Sequence, residues 1–401
     1  MKPDSAVEIV TKLRDRGHEA YFVGGCVRDM VLGIEPADYD IATSAHPEQV
    51  VRIFPRTALI GAQFGVVLVI HRGHPFEVAT FRSDDAYVDG RRPTGVTFTD
   101  ARQDVLRRDF TINGLLYDPV ADTIIDYISG RDDISAKLVR AIGDPHQRFK
   151  EDKLRMLRAI RFGARLGYTV EPETWKAILE MAPDIHQVSN ERIREELVRI
   201  LTEGQAVRGM QMVHDSGLRQ ELLPELEWTG HLKTCLNLLR KGAPEDFAIA
   251  VLLHETPIDR IIEIVERLKF SRAEINHVVV LAENLPQFAD IHTMSTSTLK
   301  RFFRMPRFED HLELARIHST ANNDLRDFDF ARLKYLSWSQ SEIAPPALIS
   351  GEDLIGMGFV PGPVFREILT RIEDEQLEGR LSKRDQALSF VREHYGKSKS
   401  S

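Results

Sequence analysis

YFVGGCVRDMVLGIEPADYDIA, residues 21–42, decides how the first third of the chain is read. An apolar run ends on Gly24 and Gly25, Arg28 follows, and Asp38 and Asp40 close the stretch with one residue between them. The pattern predicts a strand over 20–23, a glycine turn, a short helix over 26–32 and a second short strand around 39–42. On a strand, residues two apart face the same side. Asp38 and Asp40 then project together while Tyr39 and Ile41 turn toward packing. Parallel carboxylates repel unless something positive lies between them. Magnesium bound to phosphate oxygens answers that need, because it prefers hard oxygen ligands and takes only a few from protein. The glycine turn lets backbone approach a triphosphate, the helix start aims amides at it, and Arg28 adds a planar fork for phosphate oxygens. Glu77, in the strand HPFEVATF (74–81), could reach the same metals as a third carboxylate.

Outward from this stretch the first third reads as mixed α/β. Helical spacing covers 6–16 and 47–54, with Pro47 in the first turn of the latter. Two β-rich runs, 64–71 and 76–81, flank Arg-Gly-His at 72–74 and predict a hairpin. Beyond about residue 145 apolar residues recur at helical spacing over 148–166, 173–181, 190–201 and 205–215, and strand signals nearly vanish. The expected fold class is α+β: a small head of mixed sheet with helices, followed by an elongated all-helical neck, body and tail. The expected divisions are 1–142, 143–204, 205–290 and 291–396, with the polar end KSKSS (397–401) disordered.

Composition narrows the class. Hydrophobic residues are 42% and charged residues 28% of the 401, ordinary for a soluble globular protein. No apolar run reaches the length of a membrane span, and the N-terminus lacks an apolar signal core. The two cysteines, Cys26 and Cys235, lack metal-ligand spacing, which fits a reducing cytoplasm and argues against disulfides or a zinc site. A formal net charge of −8 means that a nucleic-acid partner would need local basic surfaces.

An Asp-x-Asp alone is most often a turn, and a Gly-Gly only a bend. The ordered combination G-G-x-x-R-D, Asp-x-Asp ten positions past the arginine, then E-V-x-T-F-R, is far more specific. Together, GGCVRDMVLG and DYDIAT resemble the head of the class II tRNA nucleotidyltransferases, within the polymerase-β-like nucleotidyltransferase superfamily. The resemblance continues through RRPTGVTF (91–98), RRDFTINGLLYDP (107–119), RFKEDKLRMLRAIRFGARLG (148–167) and ERIREELVRIL (191–201), and is strong over the first half. Bacterial CCA-adding enzymes, CC-adding and A-adding variants, and poly(A) polymerases share these motifs.

Residue by residue, Arg107–Asp109 reads alone as a solvated charge cluster capping an apolar helix over 110–116. The resemblance implies instead that Arg108 contacts a triphosphate and that Asp109 and Asn113, a turn apart, meet the sugar. On a single helix, Asp152, Arg155, Arg158 and Arg161 recur on one face while Leu154, Leu157, Ile160 and Ala164 pack on another. Alone this is a surface helix with ion pairs. The resemblance implies that Asp152 and Arg155 read the base, taking CTP and then ATP without a template, and that Arg158 and Arg161 hold phosphate or stack. The polar loop 82–104 keeps its full length, which in the family favours CCA or A addition over CC addition.

Candidate RNA contacts are the basic helix 148–165 and LKRFFRMPRF (299–308). In the latter, Lys300, Arg301, Arg304 and Arg307 alternate with Phe302, Phe303 and Phe308, suiting either backbone contact with stacking or a helix with buried rings. AIAVLLHE (248–255) resembles the metal-binding region of HD phosphohydrolases, but Glu255 replaces the aspartate and no upstream histidine set accompanies His254. A lone structural histidine is expected there. The segment 348–369 resembles the tail of bacterial members. The implied activity is CCA addition or repair on tRNA from CTP and ATP with two Mg2+ ions, in a cytoplasmic monomer or homodimer. A-only, CC-only or poly(A) addition, a silent RNA-binding module and an HD-type phosphohydrolase are the alternatives.

Overall fold

The computed structural model describes residues 2–61, 64–84 and 95–396. The expected disordered end, 397–401, and the middle of the polar loop, 85–94, lie outside the described residues. Contacts divide the chain into two compact units. One comprises Met1–Trp228, Leu239–Ala248 and Glu263–Ser271; the other comprises Thr229–Leu238, Ile249–Ile262 and Arg272–Ser401. The boundaries expected at 142 and 204 fall inside the first unit, and that at 290 inside the second.

The first unit begins with a mixed sheet of seven strands: β1 (Ala20–Val23), β2 (Asp40–Thr43), β3 (Thr57–Gly61), β4 (Val66–His71), β5 (His74–Thr80), β6 (Leu116–Asp118) and β7 (Thr123–Ile125). Their spatial order is β3-β4-β5-β2-β1-β6-β7. Only β2 and β5 run parallel, in the register Ile41↔Val78. The RGH hairpin forms as expected: His71 pairs with His74, and Arg72 (φ 49°) and Gly73 (φ 81°) make the left-handed two-residue turn that matches strand twist. Helix Lys2–Arg14 buries Ile9, Val10 and Leu13 completely. Val23, Ala42, Phe81, Ala101, Val105 and Leu116 form a second apolar layer.

Three local expectations are corrected. Residues 110–116 are not a helix; a 3-10 turn, Thr111–Asn113, leads straight into β6. Phe110, Ile112, Leu115 and Leu116 are all fully buried, so the run lacks the one-sided periodicity that separates a helix from a buried strand. The single helix expected over 148–166 is two, Pro145–Glu151 and Leu154–Leu166. Asp152 breaks it: its backbone is extended (φ −149°) and its Oδ1 accepts the Leu154 N–H at 3.0 Å, a local bond that competes with the helix ladder. Finally, Thr169–Val170, in the stretch read as helical, is a short strand that pairs in parallel with Leu138–Val139 of the expected head.

Past this ladder the first unit is helical. Helices Leu154–Leu166, Asn190–Thr202 and Ala206–Asp215 pack on one another. The second unit is helical throughout its described residues, around two apolar clusters. One gathers Phe288, Ile291, Leu299, Phe302, Phe303 and Phe308; the other gathers Ile349, Leu354, Ile368, Ile372, Ala387 and Val391. No described helix is long and apolar enough to cross a membrane.

Candidate active site

A cleft of about 630 Å³ opens in the first unit between the sheet and the helices that follow it. Asp38, just before β2, and Asp40, its first residue, both line it. Tyr39 and Ile41 between and beyond them are buried, so the alternation expected of an extended segment holds. The parallel register sets Asp40 beside Glu77 on β5. Desolvation by the cleft walls, then the Glu77 and Asp38 carboxylates, push the Asp40 carboxyl above its usual range against the pull of Arg108. Three crowded acids with hard oxygen donors suit a divalent cation. Glu77 does not itself line the cleft.

The rest of the lining is cationic. Eight arginines (28, 107, 108, 155, 158, 161, 165 and 199) face four aspartates (38, 40, 109 and 152). This excess of positive charge, in a chain of net charge −8, gives the cleft the field of an anion site. Arg107 and Arg108 are splayed by one buried acid: Arg107 Nη2 donates to Asp104 Oδ1 at 2.7 Å and Arg108 Nη2 to Oδ2 at 2.9 Å. Burial alone would raise Asp104, but the two guanidinium groups hold it below the usual carboxylate range.

Gly24 turns the chain into the helix Gly25–Val31 with φ 76° and ψ −134°, a backbone region that only glycine adopts without strain. A Cβ there would also lie 3.3 Å from Arg108 Nη1, whereas one on Gly25 would meet Arg28 Nη2 at an ordinary 3.6 Å. Gly24→Ala is expected to destabilise the protein by about 1–3 kcal/mol and to displace Arg108, with Gly25→Ala much milder. Urea denaturation of the two variants checks the contrast; equal losses would remove the backbone argument.

Several expected ligand residues are tied to one another. Arg28 is buried; its Nη2 donates to Asp29 Oδ1 at 2.7 Å and its Nη1 to Asn113 Oδ1 at 2.7 Å. Asn113 Nδ2 donates in turn to Asp109 Oδ1 at 3.3 Å, and Arg158 clamps Asp109 Oδ2 through Nη2 (2.6 Å) and Nε (3.0 Å). Burial opposes ionisation of Asp109, but Arg158 overcomes it and holds the carboxyl down at about 2. A depressed acid stabilises the fold above its unfolded pKa and loses that contribution as pH falls through the folded one. Asp109→Asn should therefore cost roughly 2 kcal/mol at neutral pH, a deficit that closes on acidification between about pH 4 and pH 2. Chemical denaturation across that window checks it; a constant deficit would contradict the pairing.

The acid–guanidinium ladder is also rearranged. Because the helix breaks at Asp152, Arg155 pairs with Glu151 (2.7 Å) and not with Asp152. Asp152 is instead clamped by Arg192 Nη1 and Nη2 at 3.1 and 2.7 Å, a residue that sequence reasoning did not single out. Arg161 is buried; its Nε donates to Glu196 at 2.7 Å, and its guanidinium lies 4.4 Å from the Phe162 ring centroid. Arg199, which also lines the cleft, was likewise missed, since nothing local in sequence points it there.

In the second unit the expected basic and aromatic patch is mostly internal. Phe302, Phe303 and Phe308 are buried in the core, so they offer no stacking face. Arg301 is bound by Glu373 (2.7 Å) and Asp374 (2.5 Å), Arg304 by Glu373 (2.6 Å) and Arg307 by Asp310 (2.8 Å). Lys300 Nζ donates to the Leu377 carbonyl at 2.9 Å. His254 is not the lone histidine expected: His231, Cys235 and His318 stand around it. Helical spacing alone could have flagged His231 and Cys235 as one face.

The chain matches the family description "Poly A polymerase head domain" over residues 20–140, "Probable RNA and SrmB- binding site of polymerase A" over 167–229 and "tRNA nucleotidyltransferase domain 2 putative" over 243–391. It is 43% identical over 225 residues to a CCA-adding enzyme of Geobacillus stearothermophilus, and in that match the chain spans about half of the relative, 55%. A crystal structure of the Bacillus stearothermophilus CCA-adding enzyme in complex with CTP superposes with a TM-score of 0.80 at 29% identity, covering 98% of each chain. The CCA-adding enzyme of Leuconostoc mesenteroides is 32% identical over 406 residues, 97% of this chain and 96% of the relative. With its head matched by a family model and its whole length by relatives in sequence and fold, the chain belongs to the family of CCA-adding enzymes, the tRNA nucleotidyltransferases.

Proposed function

We propose that this protein builds or repairs the 3′-terminal CCA of tRNA from CTP and ATP. The observation that carries the reading is the pairing of Asp38 and Asp40 at the edge of an arginine-lined cleft. In the reaction the RNA 3′ oxygen forms a bond to the α-phosphorus, the bond from that phosphorus to the bridging oxygen breaks, pyrophosphate leaves with the electron pair, and the hydroxyl proton passes to solvent. Asp38 and Asp40 would hold two Mg2+ ions, with Glu77 orienting Asp40 or the hydroxyl. Bound magnesium makes the hydroxyl a better nucleophile and neutralises charge on the leaving group.

The remaining work falls to the chain's own groups. Arg108, presented by Asp104, and the Gly24-Gly25 backbone hold the triphosphate. The Arg28, Asn113, Asp109 and Arg158 set acts as one braced unit beside the sugar. Asp152, fixed by Arg192, and Arg155, fixed by Glu151, offer an acceptor and donors to the base. Cytosine and adenine each present an amino donor next to a ring acceptor on their pairing edge, and an Asp–Arg pair complements both; uracil and guanine present the reverse at that place. In this division the head (1–142) catalyses, the neck (143–204) selects the base, and the body and tail carry the tRNA. The cations Lys300, Arg301, Arg304 and Arg307 would contact RNA only by leaving their carboxylate and carbonyl partners.

A tRNA transcript lacking its 3′ end, incubated with CTP, ATP or both, tests the reading. Addition of C, C and A followed by a stop supports it. A long A tail would make the protein a poly(A) polymerase, and addition of CC or A alone a specialised form. Binding without incorporation would leave only an RNA-binding module.

A further inference from the structure

Within the second unit, four side chains with nitrogen and sulfur donors meet at one point, far in chemistry from the carboxylates of the cleft. His231 and Cys235 lie one turn apart on helix Gly230–Leu238, so they share a face. His254 follows helix Glu245–Leu253, and His318 lies on helix Phe308–Ala321. Cys235 Sγ is 3.4 Å from His231 Nε2 and 3.9 Å from His254 Nε2, and the three donor atoms all lie within 4.8 Å of one another. His231 Nε2 is 3.1 Å from His318 Nδ1. A tetrahedral zinc with nitrogen ligands at ~2.0 Å and sulfur at ~2.3 Å spaces its donors roughly 3.3–3.6 Å apart. The Cys235–His231 pair already meets this at 3.4 Å, and the wider pairs, 3.9 Å for Cys235–His254 and all within 4.8 Å, need only small side-chain movements to close on an ion.

The donors are oriented as well as close. His254 Nδ1 lies 2.9 Å from the Val251 carbonyl. A carbonyl only accepts, so Nδ1 carries the proton and Nε2 turns its lone pair into the cluster, the arrangement that second-shell carbonyls impose on metal-bound histidines. His318 Nε2 is 3.0 Å from Asn322 Nδ2. Turning that amide end for end moves no heavy atom appreciably, lets Oδ1 accept from Nε2–H, and leaves His318 Nδ1 as a donor toward the cluster. Glu255 Oε1 is 3.9 Å from His231 Nε2 and supplies compensating charge. A cavity of about 590 Å³, lined by His254, Glu255 and His318, gives an ion a way in.

We propose that His231, Cys235 and His254 bind one zinc-class transition-metal ion, with His318 at the fourth position, as a structural clip of the second unit. Two histidines, a thiolate and a third histidine select zinc, cobalt(II) or nickel over magnesium and calcium. The site stands apart from nucleotide chemistry, and its failure would leave the proposed CCA activity untouched.

Full-length protein stripped with a chelator and titrated with Co2+ tests the proposal. One equivalent should bind, with a near-ultraviolet thiolate-to-cobalt band and the intense visible bands of tetrahedral cobalt. The only other cysteine is Cys26, so Cys235→Ser should abolish the near-ultraviolet band and Cys26→Ser should keep it. Zinc in about 100-fold excess over its Kd should raise the melting temperature by about 3 °C, and Mg2+ should not reproduce this. If Cys235→Ser does not fold, His231→Gln carries the test through an affinity loss of at least about 100-fold. Absence of the band and of the thermal shift in the wild type, or a band surviving Cys235→Ser, would overturn the proposal.

Discussion

Asp40→Asn is expected to lower nucleotide incorporation by at least about 10³-fold, roughly 4 kcal/mol of transition-state stabilisation, while the protein stays folded. The amide keeps the shape of the carboxylate and removes one hard anionic ligand from the pair that would hold the metal. Stability should hold or rise slightly. Asp40 is pushed above its ordinary range by desolvation and by Glu77 and Asp38, so its charged form is disfavoured in the fold. That penalty is absent below the ordinary carboxylate pKa and complete once pH exceeds the raised one. A neutral side chain relieves it, a cost that functional sites commonly carry. Single-turnover incorporation into a tRNA ending at its discriminator base, alongside a thermal melt, reads both outcomes. Activity within tenfold of wild type, or a melt lowered by many degrees, would dismiss Asp40 from the chemistry.

Arg161→Met should act in the opposite sense, on the fold before the chemistry. Glu196 is buried, and its Oε2 takes its short bond from Arg161; its other oxygen lies 3.7 Å from Arg158. Removing one partner of such a pair leaves an uncompensated buried charge and costs about 3–5 kcal/mol. For a protein of this size that is a fall in melting temperature of about 5 °C. The double variant Arg161→Met/Glu196→Gln should recover at least about half of the loss, because no charge is stranded. The KM for nucleotide should move little at a temperature where the variant is folded. A raised KM with an unchanged melt would instead make Arg161 a phosphate ligand, as the family resemblance implied. A double variant as unstable as the sum of its singles would refute the pairing.

The contrast between Asp40 and Arg161 shows how far local pattern reaches. The period-two alternation at residues 38–41 announces where the acids point, because a strand offers two faces and the apolar neighbours claim one. Helical periodicity at 154–166 likewise marks the apolar face, although Arg155 and Arg161 off that face are buried too. It does not tell which guanidinium meets phosphate and which meets Glu196 from 35 residues away. The break at Asp152 escaped because a single capping bond decides it. The run 110–116 escaped because its polar residues, Thr111 and Asn113, are buried along with its apolar ones, so polarity does not mark a solvent face.

By itself the sequence determined the class of the molecule: a mixed-sheet head carrying paired aspartates after a glycine turn, then helices. These are local matters of backbone sterics and apolar period, written within a few residues of where they act. Only the tertiary structure decided which charges are spent on one another. Arg28 closes on Asp29 and Asn113, Arg158 on Asp109, Arg192 on Asp152, and His231 and Cys235 gather with His254 and His318. Apart from Asp29 beside Arg28 and Cys235 one turn from His231, the partners lie on different elements, and the Coulombic and desolvation energies that choose between them depend on distances that exist only once the chain has packed.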